Sequence, residues 1–413
     1  MLAKTRSPML ALLSVLAGCN LLGRDDAPPP VVDPSLHPPA ETQPAPTPAP
    51  DPTPGPTPQG STTPTTGISF PGLEGLPIPL PLPDPNAPDP APPARGSLAA
   101  APAGSFDGNG HLTRTFLAPR AQTIHQALVA ALDTHQSEQT RAIPFEVLDE
   151  PNEPNAAAAC TRATRTPVMM ITSAMLELAA GISETSAYDE AAGTTTYETY
   201  VTSVIEQVRN QRPVQGVDPS LHTAPHSIDP HKLARQVHLY DQQIAFIVGH
   251  ELAHHYRGHT DCVSGRTDAE RERDAISRRL AHTIPTFSQP REVEADMWGV
   301  VNVMESGRGR TGGIWNQEGA LLNMDFFRRL ADQGGAELVL AFLSTHPPAL
   351  VRIPIVRSTA QQWQPGWRPP AMPTLGPGGI ELPGPGGTIR LPDPSQLGID
   401  PSQLPFPFPP RQR

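Results

Sequence analysis

Two histidines four residues apart, His250 and His254, are the side chains in this sequence whose types and spacing could do chemistry. On a helix, residues four apart lie one above the other, so both imidazoles would address one point in space. That is the pair a zinc ion takes from a helix, and Glu251 falls beside it, where it could act as a base on a water. The run Ile244–Gly249 just before the pair is apolar and predicts that the helix is buried. Pro230 marks its beginning, so the helix is expected from about 231 to about 258.

A catalytic zinc needs three protein ligands and one open position, so a third ligand must come from elsewhere in the chain. His259 is one candidate, but Gly258 and His259 are out of register with the extended metzincin pattern. The cluster Glu270, Glu272 and Asp274 is another, in a charged stretch that also reads as a solvated helix face. Glu292 is the third, with Asp296 one helical turn further on. A second helix crossing the first would offer both carboxylates on one face. Glu292 would then ligate, and Asp296 would hydrogen-bond a ligating histidine and set its tautomer. The alternative for this pair is plain ion pairing with Arg291 or other surface charges.

The elements that must position these groups follow from periodicity. Apolar residues recur at helical spacing over Leu117–Leu132, with Leu117, Ala121, Ile124 and Leu128 on one face. Phe145–Leu148 reads as a short strand. Thr166–Thr172 reads as another, an edge strand with its proline at the start, followed by a helix over Ala174–Ala180 that Ser173 would cap. Residues 183–230 carry no firm signal beyond a helix at Tyr197–Val208, and are read as a lid or an insertion. Further helices are expected at Asp268–His282, after Pro290, at Leu321–Leu330 and at Ala336–Leu343. Met297 and Trp298 read as core, and His255 and His259 as polar neighbours of the site.

Composition bounds the folded part. Of the 55 prolines among 413 residues, 25 lie in 21–100 and 14 in 361–413. Proline lacks the N–H and fixes φ, so those stretches cannot supply ordinary helices or central strands. The expected domain is 105–360, with a proline-rich tether over 19–104 and a low-complexity, disordered tail over 361–413. As a flexible coil the tether would span ~50 Å, and as polyproline II ~260 Å. A net charge of −11 without a basic cluster argues against a nucleic-acid partner. No apolar run reaches the length needed to cross a bilayer.

The N-terminus reads as an address. Lys4 and Arg6 precede a short apolar stretch, Met9–Ala17, which ends in Leu16-Ala17-Gly18-Cys19. This resembles a bacterial lipobox, in which residues 1–18 are removed and Cys19 carries the lipid; the alternative is a plain signal peptide with an incidental cysteine. Lipidation would hold the chain to the membrane without a spanning helix. Asn20 is not the aspartate that retains such proteins in the inner membrane, which favours the outer membrane facing the periplasm. Cys160 and Cys262 remain, either as a disulfide of that oxidising compartment or as two buried thiols.

His250-Glu251-Leu252-Ala253-His254 followed by Arg291-Glu292-Val293-Glu294-Ala295-Asp296 resembles the HtpX-like and CAAX-prenyl-protease-like family of zinc metallopeptidases, whose signature is HExxH followed by ExxxD. Ser344–Pro348 with Arg352-Ile353 is similar to that family's later Thr-His-Pro…Arg motif. Pro167–Leu178 resembles its edge strand and following helix, and Asn155-Ala156 a short motif before that strand. The resemblance spans roughly 120–357 and is to the soluble lipoprotein kind related to the β-barrel-assembly-enhancing protease. The segment 183–230 is longer than that family would suggest.

The resemblance implies an α+β, mainly helical zincin-like domain with a small sheet whose edge strand flanks the site. It implies one zinc ion per chain, held by His250, His254 and Glu292, with Asp296 behind a ligand and Glu251 as base. It assigns His346 and Arg352 to the oxyanion; His346 could instead block the open metal position at rest, or merely cap a turn. The strand at Val168–Thr172 would bind extended substrates by β-augmentation. The expected function is an envelope endopeptidase acting on unfolded or misassembled polypeptides, with the outer-membrane assembly machinery as a candidate partner. Two other classes compete: a zinc-stabilised, chaperone-like binding lipoprotein that rarely cuts, and a structural cell-surface lipoprotein.

Overall fold

Asp229 and Pro230 start the helix around which everything else packs. The carboxylate of Asp229 accepts from the backbone N–H groups of His231 and Lys232, and Pro230 occupies the first helical position, where its missing N–H costs nothing. In this computed structural model the helix runs over Pro230–Tyr256 and is buried along almost its whole length. The structure describes residues 97–161, 164–223, 225–260, 262, 289–310, 313–332, 349–370, 374–376, 379–384 and 387–391.

Among the described residues the architecture is mainly helical with a small three-stranded sheet. In chain order the elements are α1 (Arg114–Ala131), α2 (Thr134–Thr140), β1 (Phe145–Leu148), β2 (Ala156–Cys160), β3 (Pro167–Thr172), α3 (Ser173–Ala192), α4 (Thr196–Arg209), α5 (Pro230–Tyr256), α6 (Gln289–Gly307), α7 (Glu318–Asp332) and α8 (Ala349–Gln362). The long α5 is flanked by α1, α3, α6 and α7. Its apolar side chains Tyr240, Ile244, Ala245, Val248, Leu252 and Ala253 sit in one core with Ile124 and Leu128 of α1, Leu178 and Ile182 of α3, and Val300 of α6. Its buried polar side chains are answered by neighbours. Gln243 donates to Ala179 O and Ser183 Oγ and accepts from Asn323, and Arg235 is paired with Glu190 and Glu318.

Several expectations from sequence are corrected. The strand over Pro167–Thr172 is not an edge. β3 is the middle strand, parallel to β1 (Val147 opposite Ile171) and antiparallel to β2 (Ala158 opposite Met169). Pro167 is tolerated because it stands at the strand's first position, where one missing N–H does not break the ladder. The edges are β1 and β2. Thr172, not Ser173, caps the following helix, accepting from Met175 N–H. That helix continues to Ala192 and stops where Gly193 takes the left-handed conformation at φ 68°.

Residues 183–230 are therefore not a lid. Tyr188, Tyr200, Val201, Val204, Ile205, Val214 and Val217 are buried, most of them in the common core. The folded part also runs past both expected ends: Ala101 packs on the core before residue 105, and Trp363 and Trp367 pack on it after residue 360. Within the expected disordered tail, Thr374–Gly376 (β4), Gly379–Gly384 (β5) and Gly387–Leu391 (β6) form an antiparallel sheet. Alternating apolar residues Ile380, Leu382 and Ile389, Leu391 pair across it, a strand signal that the surrounding prolines obscure. The leader with Cys19, the tether as far as residue 96, the helices expected at 268–282 and 336–343, and His346 lie outside the described residues. No described helix is long and apolar enough to cross a membrane.

Candidate metal centre

Two glycines let the site form. Helices α5 and α6 cross where Gly249 meets Gly299. A Cβ on Gly299 would stand 3.3 Å from both Cα and N of His250, and one on Gly249 would stand 3.2 Å from Asn302 Cβ. The backbones can thus approach more closely than side chains would permit. Asn302 reinforces the crossing by donating to Gly249 O at 2.9 Å. The residues just beyond, His250 and His254 on α5 and Glu292 and Asp296 on α6, are brought face to face.

The imidazole Nε2 atoms of His250 and His254 lie 3.0 Å apart. Glu292 places one carboxylate oxygen 3.3 Å from His250 Nε2 and the other 3.4 Å from His254 Nε2. One ligand atom from each of the three residues falls within 4.8 Å of the others, and among the described residues this is the group able to hold a metal ion. The donor set fits. Ligands about 2.0–2.1 Å from a tetrahedral zinc are separated by roughly 3.3–3.4 Å, close to the spacings found here. All three residues are buried or nearly so, which strengthens their hold on a cation.

The outer nitrogens are anchored. His250 Nδ1 lies 3.0 Å from Asp296 Oδ1. Asp296 is fully buried and receives two hydrogen bonds from Arg352, 2.8 Å from Nε and 2.6 Å from Nη2. Burial alone would raise the Asp296 carboxyl, but Arg352 and His250 hold it below the usual range. For His250, burial pulls the pKa down, yet the hydrogen bonds to Asp296 and Glu292 prevail and raise it to about 10. The excess of negative charge here thus favours a cation. The outer nitrogen of His254 meets another histidine: its Nδ1 lies 3.0 Å from His259 Nδ1, and His259 Nε2 lies 2.9 Å from Glu294 Oε2.

Glu251, the expected base, reaches the small sheet. Its Oε2 accepts the backbone N–H of Ala158 at 2.6 Å, so the edge of the sheet beside the site is β2. His255 Nε2 meets Val168 O of β3 at 3.2 Å, and burial lowers its pKa to about 4. Cys160, at the end of β2, is disulfide-bonded to Cys262 beyond α5, which ties the strand to the segment following the site. The question of disulfide or free thiols is thereby decided.

Three sequence expectations change. Arg352 does not stand open to an oxyanion: its Nε and Nη2 are committed to Asp296, because a fully buried carboxylate needs a neighbouring cation. His259 does not join the converging group; it stands behind His254. Substrate pairing cannot use β3, whose two sides are taken. Sequence reading missed Glu294 altogether, although its place between Glu292 and Asp296 could have drawn notice. It also missed Ala158, because a backbone donor leaves no trace in residue type. Glu270, Glu272, Asp274 and His346 are outside the described residues. Set against known sequence families, curated proteins and solved structures, the chain has no match, so its chemistry is argued from this geometry.

Proposed function

We propose that this chain is a zinc-dependent endopeptidase of the zincin-like, HExxH…ExxxD kind, lipid-anchored to the bacterial envelope and cutting unfolded or misassembled polypeptides. The observation that carries the reading is the convergence of His250, His254 and Glu292 on one point, with Glu251 alongside. When bound, zinc would supply a Lewis acid that polarises a carbonyl and lowers the pKa of water. Glu251 takes the proton from the attacking water and delivers it to the leaving nitrogen, as a C–O bond forms and the C–N bond breaks. Asp296 and Arg352 keep the His250 ring oriented, so that its Nε2 lone pair faces the centre. The resemblance assigns His346 to the oxyanion, and Arg352 acts through Asp296 instead.

The outer edge of β2 lies beside the base, since Ala158 turns its N–H to Glu251 rather than to β3. An extended peptide pairing along that edge would be held by backbone hydrogen bonds, with little demand on its sequence. This suits unfolded substrates. Envelope anchoring rests on the Leu16–Cys19 lipobox and the tether.

The test compares wild-type full-length chain with Glu251→Gln on an unfolded model protein, with zinc quantified in each sample. The expected result is one zinc per chain in both and cleavage by wild type alone. Zinc in both without cleavage by either would favour the chaperone-like binding lipoprotein. Absence of zinc from wild type would overturn the metal centre.

A further inference from the structure

We infer that His259 is a positioning residue for His254, the middle member of a chain His254–His259–Glu294–Arg257 that sets which nitrogen of His254 faces the metal centre. The inference rests on the metal centre proposed above and adds a residue that the ligand motif does not contain.

Hydrogen-bond direction carries it. His254 turns Nε2 into the centre, 3.0 Å from His250 Nε2 and 3.4 Å from Glu292. To ligate, that nitrogen needs its lone pair, so the ring proton must sit on Nδ1. His254 Nδ1 and His259 Nδ1 lie 3.0 Å apart, so one donates and the other accepts. The carboxylate of Glu294 decides which. It lies 2.9 Å from His259 Nε2 and, when ionised, can only accept. His259 must therefore carry its proton on Nε2 and offer its Nδ1 lone pair to His254 Nδ1–H. The reverse arrangement sets the His259 Nε2 lone pair against a carboxylate and moves the proton of His254 into the metal centre.

The chain ends on a fixed charge. Arg257 donates to Glu294 Oε1 from Nε at 2.8 Å and from Nη2 at 2.6 Å. Backbone geometry holds the middle member: Gly258 adopts φ 72°, a conformation glycine takes without strain, and the turn returns His259 N–H to His254 O at 2.8 Å. The His259 side chain is 7% exposed, so water does not substitute freely for it.

The experiment measures zinc affinity of the full-length chain by competition with a chelator, together with thermal stability. It also records histidine ring tautomers by nitrogen NMR in the zinc-loaded wild type. His259→Leu is expected to fold and to bind zinc roughly 10–100-fold more weakly. His259→Gln, which keeps an acceptor and a donor on one side chain, should recover most of that loss. In the wild type, the protons should reside on His254 Nδ1 and His259 Nε2. Unchanged zinc affinity in a folded His259→Leu, or a proton on His259 Nδ1, would overturn the inference while leaving the metal centre standing. If His259→Leu does not fold, His259→Gln and the wild-type tautomers decide. Wild type without zinc would overturn both, and so is distinguishable from either result.

Discussion

A histidine–carboxylate cluster lies near each end of helix α5, and the two are built differently. At its C-terminal end the inner nitrogens of His250 and His254 converge, while each outer nitrogen is tied, directly or through His259, to a carboxylate that ends on an arginine. At its N-terminal end His111 Nδ1 and His222 Nδ1 both approach the same oxygen of Glu184, at 2.7 and 3.0 Å. The ammonium of Lys232 lies in the same region, fully buried, 3.3 Å from Gly110 O and 3.2 Å from Ser227 O. The close Glu184 carboxylate, opposed by burial, raises the pKa of His111. Burial would raise that of Glu184, but His111 and His222 hold it below the usual range. One cluster thus has its lone pairs aimed at a common point and its rings braced from behind. The other balances its charge internally, with a lysine already present. Histidines beside a carboxylate do not by themselves make a metal site; the bracing of the outer nitrogens is what differs.

The comparison can be broken most directly by metal content. His254→Ala should weaken zinc binding roughly a hundred- to a thousandfold, one ligand's share of a structural-site affinity. His222→Ala should leave zinc per chain unchanged. Elemental analysis after dialysis checks both, and equal losses would erase the distinction. Next in size is Glu184→Gln. It removes the stronger of the two carboxylates acting on Lys232, leaving Asp107, and should cost about 3 kcal/mol of stability without loss of zinc, read from chemical denaturation.

A third histidine of α5 sharpens the contrast by pH. His238 is buried, and its charged neighbours are Arg235 and Arg310; burial first, then those arginines, lower its pKa to about 4. The unfolded chain binds a proton at His238 below about pH 6.5, while the folded chain resists until about pH 4. Its contribution to stability is therefore complete above pH 6.5 and lost as pH falls through that window, by up to about 3 kcal/mol. His238→Gln should flatten this part of the stability profile, and an unchanged slope would contradict the assignment. His111 has the opposite sign: its contribution is present below its unfolded pKa and fades as pH rises through the raised folded value. The smallest effect expected is that of Gly299→Ala, which presses a methyl onto the His250 backbone. It should cost about 1–2 kcal/mol and weaken zinc binding in the same variant, as chelator competition would reveal.

Much of the candidate site was legible in the chain. His250 and His254 are separated by one helical turn, and the apolar run before them announces a buried helix, so their convergence needs only local geometry. Glu292 and Asp296 show the same spacing, and the structure sets them opposite the histidines. What was not legible has two causes. The polar run Ser183-Glu184-Thr185 broke the apolar period of α3 and hid the helix, because the buried hydroxyls return to Ala179 O and Gly181 O and so satisfy themselves within it. The place of β3 in its sheet was also hidden. A proline at a strand's first residue is compatible with either an edge or the centre, and pairing partners are a property of the whole sheet.

The sequence by itself determined the register of the candidate ligands along each helix, the proline that starts α5, and the proline-rich stretches that flank most of the folded part. These are consequences of residue type and spacing over a turn or two. Only the tertiary structure decided that Arg352 braces Asp296, that His259 and Glu294 brace His254, that β2 presents Ala158 to Glu251, and that Cys160 and Cys262 are joined. Each of these joins residues distant in sequence or depends on which way a side chain or backbone group turns, and packing settles that, not spacing along the chain.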